Sequence, residues 1–448
     1  MKKKVISLML IGAMVASMAA CGSNGGDKGG ATKGNDTSAA AESDGGASEG
    51  GNTLTVWTWD PKFNIPAIEE AGNLYKADHP DFNLKVVETL SDDCESKLIA
   101  AAEGGDLSTL PDIVLMQDNS YQKFVTAYPE AFEDLTDSGI DFSQFPAGKL
   151  AYSTVDGKNY GVPFDNGAVI GAYRTDILEQ AGYTTADLTD IDWNRFIEIG
   201  KDVKAKTGTY MLSGQADSPD TIMMMLQSAG ASLFDEDGKP AMTDNDALKE
   251  CIDIYKTMVD EGIYLEVNKW DDYVTSITKG SVAGVINGNW IIATIQGMED
   301  TAGKWEITNM PKLIKTPNAT NYSNNGGSSW YITSNCKNKD LAIDFLKSTF
   351  AGSVELYEKI LPTTGAIATY LPAGDSAAYA EPQAYWSNQP IFKTIVEYSK
   401  LTPANNTSPY YYDGRNAIGT QIQNIMNGAD VDQAIADAQA EVEFTMGE

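Results

Sequence analysis

From Thr53 onward, short apolar runs alternate with segments whose apolar residues recur at helical spacing. That alternation is the signature of an α/β protein. Leu54-Thr55-Val56-Trp57-Thr58-Trp59 predicts a first strand, Ile65–Asp78 a helix, Leu84–Glu88 a second strand and Asp92–Glu103 a second helix. Pro111–Met116 reads as a buried third strand, after which Asp118 can cap a helix from Asn119 to about Tyr128. Gly157-Lys158-Asn159 turns the chain into the extended Tyr160–Phe164, and Val169–Arg174 is extended beyond it. Helices follow at Trp193–Lys206, Asp220–Ala229 and Asp244–Glu261, the last stopped by Gly262. Val282–Ile286 predicts a strand, Asn289–Met298 a helix, Trp330–Thr333 a strand and Lys339–Phe350 a helix. Three further helical patterns lie near Ile391–Ser399, Gly414–Met426 and Val431–Phe444. The patterned part is too long for one ordinary core and enough for two domains. No Gly/Ser seam divides it, as expected where two domains exchange strands through a hinge.

The first residues follow another pattern. Met1-Lys2-Lys3-Lys4 precedes an uncharged apolar run from Val5 to Ala20, which ends in Met18-Ala19-Ala20-Cys21. A basic start, a short apolar stretch and small residues describe an exported precursor, and the run is short for a membrane span. The segment resembles the bacterial lipoprotein signal, which implies removal of residues 1–20 and a lipid on Cys21. Gly22–Asn52 holds no aromatic residue and no Val, Ile or Leu. Such a composition cannot offset its ordering entropy, so residues 21–52 are expected to be a flexible leash.

Charge and rare residues narrow the chemistry. There are 63 acidic against 32 basic residues, a net charge of −31. A surface this negative repels phosphate backbones, which argues against nucleic acid as a partner. After Cys21 come Cys94, Cys251 and Cys336, too widely spaced for a metal finger, and Cys251 falls on the apolar stripe of a helix. Met223-Met224-Met225 is expected in helix core. The one histidine, His79, stands where a helix must stop before Pro80, so multi-His metal sites and most Ser-His or Cys-His constellations would have to centre there. No cofactor or metal is expected.

The series Leu54–Trp59, Leu110-Pro111-Asp112-Ile113-Val114, Gly157–Pro163 with Tyr173-Arg174, Trp193, Val285–Trp290, Gly326–Ile332 and Lys339–Leu346 resembles one family in order and spacing. That family is the extracellular solute-binding proteins of the maltodextrin-binding type (family 1). Trp57–Pro61 and Asn321–Trp330 are most similar to members of the lactose/L-arabinose type. The resemblance implies a two-lobed periplasmic-binding-protein-like α/β fold (type II) with discontinuous lobes. Residues 53–164 plus 329–377 would form lobe 1, and 165–328 plus 378–448 lobe 2. It also implies a monomer, tethered by lipid to the outer face of the cell membrane, that captures a neutral sugar by hinge closure and delivers it to the permease subunits of an ABC importer.

A sugar offers apolar faces for aromatic rings and hydroxyls for carboxylates, amides and guanidinium groups. In open α/β sheets ligands sit beyond the carboxyl ends of strands. The candidates there are Trp57, Trp59 and Asp60, then Glu88, then Gln117, Asp118 and Tyr121. Alternation places Trp57 and Trp59 on one face, with one of the two expected in the cleft, and Asp118 is open between helix cap and ligand. The hinge crossings add Asp165, Asn166, Ser328 and Trp330, the last open between core and site. The resemblance implies that Trp290, beside Asn289, stacks on the sugar, and that Tyr411, Tyr412 and Arg415 lie on a helix facing the cleft. Trp193 is open between core and site; Trp305 and Trp386 are expected in packing. Three other readings stay open: a secreted glycoside hydrolase, which needs only two carboxylates; an adhesion lipoprotein; and the same fold with a peptide, polyamine or metal as cargo.

Overall fold

In the computed structural model, which describes residues 46–447, the architecture follows from strands that are apolar on both faces. The first half runs β1 (Thr53–Thr58), α1 (Asn64–Asp78), β2 (Asn83–Glu88), α2 (Ser91–Glu103), β3 (Ile113–Gln117), α3 (Asp118–Ala127) and α4 (Ala147–Ser153). A hairpin of β4 (Thr154–Val155) and β5 (Lys158–Asn159) then leads into the long β6 (Gly161–Arg174). Next come α5 (Thr175–Ala181), α6 (Trp193–Thr207), β7 (Leu212–Gln215), α7 (Asp220–Ser228), α8 (Asp246–Asp260), β8 (Tyr264–Val267) and α9 (Trp270–Thr278). They are followed by β9 (Gly284–Gly288), α10 (Ile292–Gln296), β10 (Trp305–Thr308), β11 (Asn324–Ile332), α11 (Lys339–Ser348), α12 (Val354–Thr364) and α13 (Leu371–Gly374). The chain closes with α14 (Ile391–Leu401), α15 (Tyr411–Met426) and α16 (Val431–Met446).

One sheet runs through both lobes. Strands β2, β1 and β3 are parallel, and β11 adds antiparallel to β3. The first part of β6 pairs with β11, through Gly161, Val162, Pro163, Asp165 and Asn166. Its second part, Val169–Arg174, instead pairs with β9 and β10. Each part has both faces covered. Leu115 and Met116 of β3 enter different apolar clusters, and so do Val169 and Ile170 of β6. Alternate burial on two faces is what helices packed on both sides of a sheet require. Late in the chain, Ala373 packs into the cluster of Leu115 and Trp330, and Tyr379 into that of Ile170 and Trp305.

Several expectations are corrected. The predicted strand at Trp330–Thr333 begins six residues earlier, at Asn324, because the polar stretch ahead of Trp330 pairs with β6 across register shifts. Gly326 and Gly327 lie there at φ of +102° and +111°, backbone that a side chain would strain. The helix expected at Asn289–Met298 is a 3₁₀ turn, Asn289–Ile291, followed by the short α10. The ordered body also starts earlier than residue 53: Ser48 N donates to Leu110 O at 3.1 Å, and Lys85 pairs with Glu49 at 2.7 Å. Residues 46–52 therefore belong to it, while Cys21 and the rest of the expected leash lie outside the described residues. Among the described residues no helix is long and apolar enough to cross a membrane.

Buried packing takes up much of the rest. Cys94, Cys251 and Cys336 are buried free thiols, and Trp193, Trp305 and Trp386 are core. His79 closes α1, stacked on Tyr75 with ring centroids 3.9 Å apart.

Candidate functional site

Four elements, α3, α4, β6 and β11, meet where the two parts of the sheet join. Lys149 on α4 is 4 % exposed, and its ammonium is shared out completely. It pairs with the Asp118 carboxylate and donates to Asp165 O at 2.7 Å and Ser328 O at 3.0 Å. The Asp165 carboxylate in turn accepts from Ser328 N at 2.9 Å and Ser328 Oγ at 2.6 Å, while Ser329 Oγ donates to Asp118 at 3.1 Å. Burial, which outweighs the neighbouring Lys149 charge, raises the Asp118 carboxyl to about 6 and lifts Asp165 as well. The sequence reading offered Asp118, Asp165 and Ser328 as ligand contacts. Here their polar groups are engaged with one another and with Lys149, and they fasten the two crossing strands together. Asp118 does not cap α3 either, since its carboxylate is turned to Lys149 and Ser329.

The aromatic candidates separate in the same way. Trp57, at 2 % exposure, packs with Cys94, Leu98 and Val114. Tyr121 is stacked on Tyr331 with centroids 3.6 Å apart, and Trp330 is fully buried between Phe164 and Phe350. All three rings fill core rather than a cleft. Trp57 and Trp59 do not share a face, because the strand stops at Thr58. Asn64 Oδ1 accepts from Thr58 Oγ1 at 2.6 Å, Trp59 N at 3.1 Å and Asp60 N at 2.8 Å. That turn swings the half-buried Trp59 toward the other face, and the Asp60 carboxylate accepts from Lys62 N in the same loop. Glu88 is exposed at the end of β2, and Asn166 is half-buried at the crossing.

Trp290 stands between the cores of the two lobes. Its ring packs against both, and its Nε1 donates to Asn325 O at 2.8 Å. Half-exposed Trp270, on α9, lies against it at 5.8 Å between centroids. The sequence reading did not single out Trp270. Asn289 is fully buried, its amide donating to Gly365 O at 3.1 Å while its Oδ1 finds no partner.

Beyond the crossing, α3 of the first lobe faces α15 of the second. Tyr412 OH donates to Gln117 Oε1, and Lys123 pairs with Asp413 at 2.8 Å. Arg415 points back along its own lobe, to Asp220 at 2.6 Å and Ser218 Oγ at 2.7 Å. Beside this contact lies a narrow pocket of about 20 Å³. Asn119 and Tyr152 line it from the first lobe. From the second come Met223, Leu226 and Gln227 of α7, Ala231, Ser232, Asn405, Asn406, Thr407 and Tyr411, with Asn324 of β11 at the base. Among the described residues the side-chain amides of Asn119 and Asn405 and the hydroxyls of Tyr152 and Tyr411 make no hydrogen bond. Burial pushes the Tyr411 phenol up to about 12, so it stays a neutral O–H donor.

Of the residues chosen from the sequence, only Tyr411 lines this cavity. Asn119 follows directly on Asp118, and Asn405-Asn406-Thr407 sits in a polar stretch between two helical patterns. Loops held by a rigid scaffold often carry recognition, and that was the available signal. Met223, expected in core, is 8 % exposed and serves both core and cavity wall.

The chain matches the family profile described as bacterial extracellular solute-binding protein over residues 70–394. It is 39 % identical over 382 residues to the lactose-binding protein of Rhizobium radiobacter, an alignment covering 85 % of this chain and 90 % of that one. It is 24 % identical over 392 residues to the arabinooligosaccharide-binding protein of Halalkalibacterium halodurans, with 84 % and 85 % covered. Among solved structures it resembles the GacH receptor of Streptomyces glaucescens, studied unliganded and with acarbose. The TM-score is 0.76 at 18 % identity, covering 88 % of this chain and 98 % of that one. An ABC-transporter-associated binding protein of B. animalis subsp. lactis in complex with β-1,6-galactobiose gives 0.75 at 19 % identity, with 88 % and 98 % covered.

Proposed function

Because the chain belongs to the bacterial extracellular solute-binding proteins, we propose that it captures a sugar in the cavity between its lobes for an ABC importer. The observation that carries this reading is the chemistry of the cavity wall. Neutral amides and phenols without partners, set beside apolar side chains, suit a ligand with many hydroxyls and apolar C–H faces. The two lobes are joined by strands that pass from one to the other, with glycines at positive φ in one of them. Closing about that join brings both walls onto the ligand, and the ligand shifts the population toward the closed form. The closed monomer is then the form that the importer's permease subunits receive. Trp290, braced by Trp270 between the two cores, does not line this cavity; the family resemblance is what offers it as a platform for a ring of a sugar that extends beyond the cavity. Lipid on Cys21 would hold the protein at the outer face of the membrane.

The relatives are binding proteins, and the same role here requires that the sugar leave unchanged. Isothermal titration of the chain from Gly22 to Glu448 tests this. The panel is lactose, arabino-oligosaccharides and malto-oligosaccharides, with a polyamine and a peptide as controls. Saturable binding of one sugar class, recovered chemically intact, is expected. Hydrolysed product would point to a glycosidase, and silence across all sugars from folded protein would end the sugar reading.

A further inference from the structure

We propose that Trp290 is a positioning residue that sets the hinge: its indole N–H clips the end of β9 to the irregular stretch of β11 and so favours the shut arrangement of the lobes. The inference rests on the hinge-closure reading above and names the residue through which closure is controlled.

Three strands each carry an Asn-Gly pair where the two parts of the sheet join: Asn166-Gly167 in β6, Asn287-Gly288 in β9 and Asn325-Gly326 in β11. The register of β11 against β6 shifts between Asn324 and Gly327, so Asn325 sits inside the irregularity. Its backbone carbonyl accepts from Trp290 Nε1 at 2.8 Å. Its side-chain amide donates to Asn287 Oδ1 at 2.8 Å, and Asn287 donates in turn to Tyr273 OH at 3.0 Å. Two of the glycines make room for this contact. A Cβ on Gly288 would lie 2.3 Å from Trp290 Nε1 and 2.5 Å from Asn325 O, and one on Gly167 would lie 2.4 Å from Asn325 O. Neither glycine has a positive φ, so the missing side chain serves close approach and not backbone freedom.

The join is also where a closing motion is absorbed. There β6 leaves β11 and takes up β9 and β10, and Gly326 and Gly327 supply backbone that can turn. In the present arrangement the lobes touch, through Tyr412 on Gln117 and Lys123 on Asp413. The pocket beside that contact has about 20 Å³, room for a water rather than a sugar. The clip is therefore made in a shut form, and a ligand enters only after the lobes part. Parting them turns the two parts of the sheet about the β11 irregularity, and the Trp290–Asn325 bond spans it. Trp290 also packs against the apolar clusters on both sides, so its ring cannot follow one part without leaving the other. A ligand laid on the partly exposed ring holds the indole where its N–H meets Asn325 O, and so shifts the population toward the shut form.

Spin labels on Lys76→Cys and Lys201→Cys, exposed positions on α1 and α6, read the distance between the lobes by double electron–electron resonance in the chain from Gly22 to Glu448. The native thiols Cys94, Cys251 and Cys336 are buried and take no label. Without any ligand the wild type should show a shut population. Trp290→Phe keeps a ring and loses the N–H, while Asn287→Ala leaves Trp290 in place and removes the brace on Asn325. Each should lower the ratio of shut to open by about threefold or more, the factor that one hydrogen bond supplies. With lactose, arabinotriose or maltotriose as the probe, both variants should release the sugar faster by about the same factor, at an unchanged association rate. Unchanged distances in both folded variants, or a wild type without a shut population, overturn the inference while sugar capture stands. Shifted distances with no sugar bound remove the sugar reading and leave the clip in place.

Discussion

Single residues at the join divide into those that hold the fold and those left for a ligand. Lys149 is the clearest of the first kind, with one ammonium serving a carboxylate and two backbone carbonyls from separate strands. Lys149→Met keeps the length and removes the charge, leaving Asp118 and Asp165 buried without their cation. Breaking a buried pair this way costs about 3 kcal/mol or more, and urea unfolding at pH 7.5 should show that loss. The loss should shrink toward pH 5. A carboxyl whose folded pKa is raised, here to about 6 even beside Lys149, is bound to its proton more tightly in the folded state. Its stabilising contribution is present below its unfolded value and disappears as pH rises through 6. Acidification therefore neutralises the buried carboxyl where the methionine side chain cannot. The tryptophans give the contrasting case. Trp330→Ala should lower stability by about 3–5 kcal/mol, as expected for a core ring. Trp290→Ala should remove about 2 kcal/mol or more of sugar affinity, as anchor truncations do. Calorimetric melting and titration of both variants separate the two roles; equal affinity losses would reject the distinction.

Elements explain what sequence patterning conveyed and what it did not. Helices with a single buried stripe, such as α6, α8 and α11, stand within a few residues of their predicted bounds, because burial of one face imprints helical spacing. Strand β11 was legible only at its apolar end. Its other end, Asn324–Ser328, is held by pairing across a register shift, and distant pairing leaves no local trace. The same limit applies to the site. Strand-end logic picked out Asp118, and the hinge crossings implied by the resemblance picked out Asp165 and Ser328, yet whether such a group faces ligand depends on Lys149, which nothing local linked to them. Gly327 sits at that point. Its φ is +111°, and an added Cβ would lie 2.5 Å from Asp118 Oδ2 and 3.2 Å from Lys149 Nζ. Gly327→Ala should cost about 2 kcal/mol or more in unfolding free energy, from backbone strain and from displacement of the ion pair. Across the join, Asp413→Ala removes the Lys123 contact between α3 and α15. Both side chains are partly exposed, so the expected effect is a twofold to fivefold loss of sugar affinity, corresponding to about 0.5–1 kcal/mol. It should be larger at low salt than at high, and titration at two ionic strengths reads it.

For the whole molecule, charge decides how it can stay at a membrane. With 63 acidic against 32 basic residues it is repelled by anionic headgroups, so electrostatic adsorption works against attachment. No helix among the described residues can cross a bilayer. Under the proposed lipidation, Cys21 would carry the attachment, its acyl chains contributing about 0.8 kcal/mol per buried CH₂. That mechanism has a salt signature opposite to adsorption, because hydrophobic insertion is insensitive to screening. Expressed in a cell that processes lipoprotein signals, the wild-type chain should remain in the membrane fraction through a 1 M salt wash and partition into detergent. Cys21→Ser should appear in the medium as protein with the same thermal midpoint and sugar affinity. Release of wild type by salt alone would mean a peripheral partner holds it. Membrane retention of the serine variant would reject lipidation at Cys21. Neither result bears on the sugar-capture reading, which the titration against sugars tests separately.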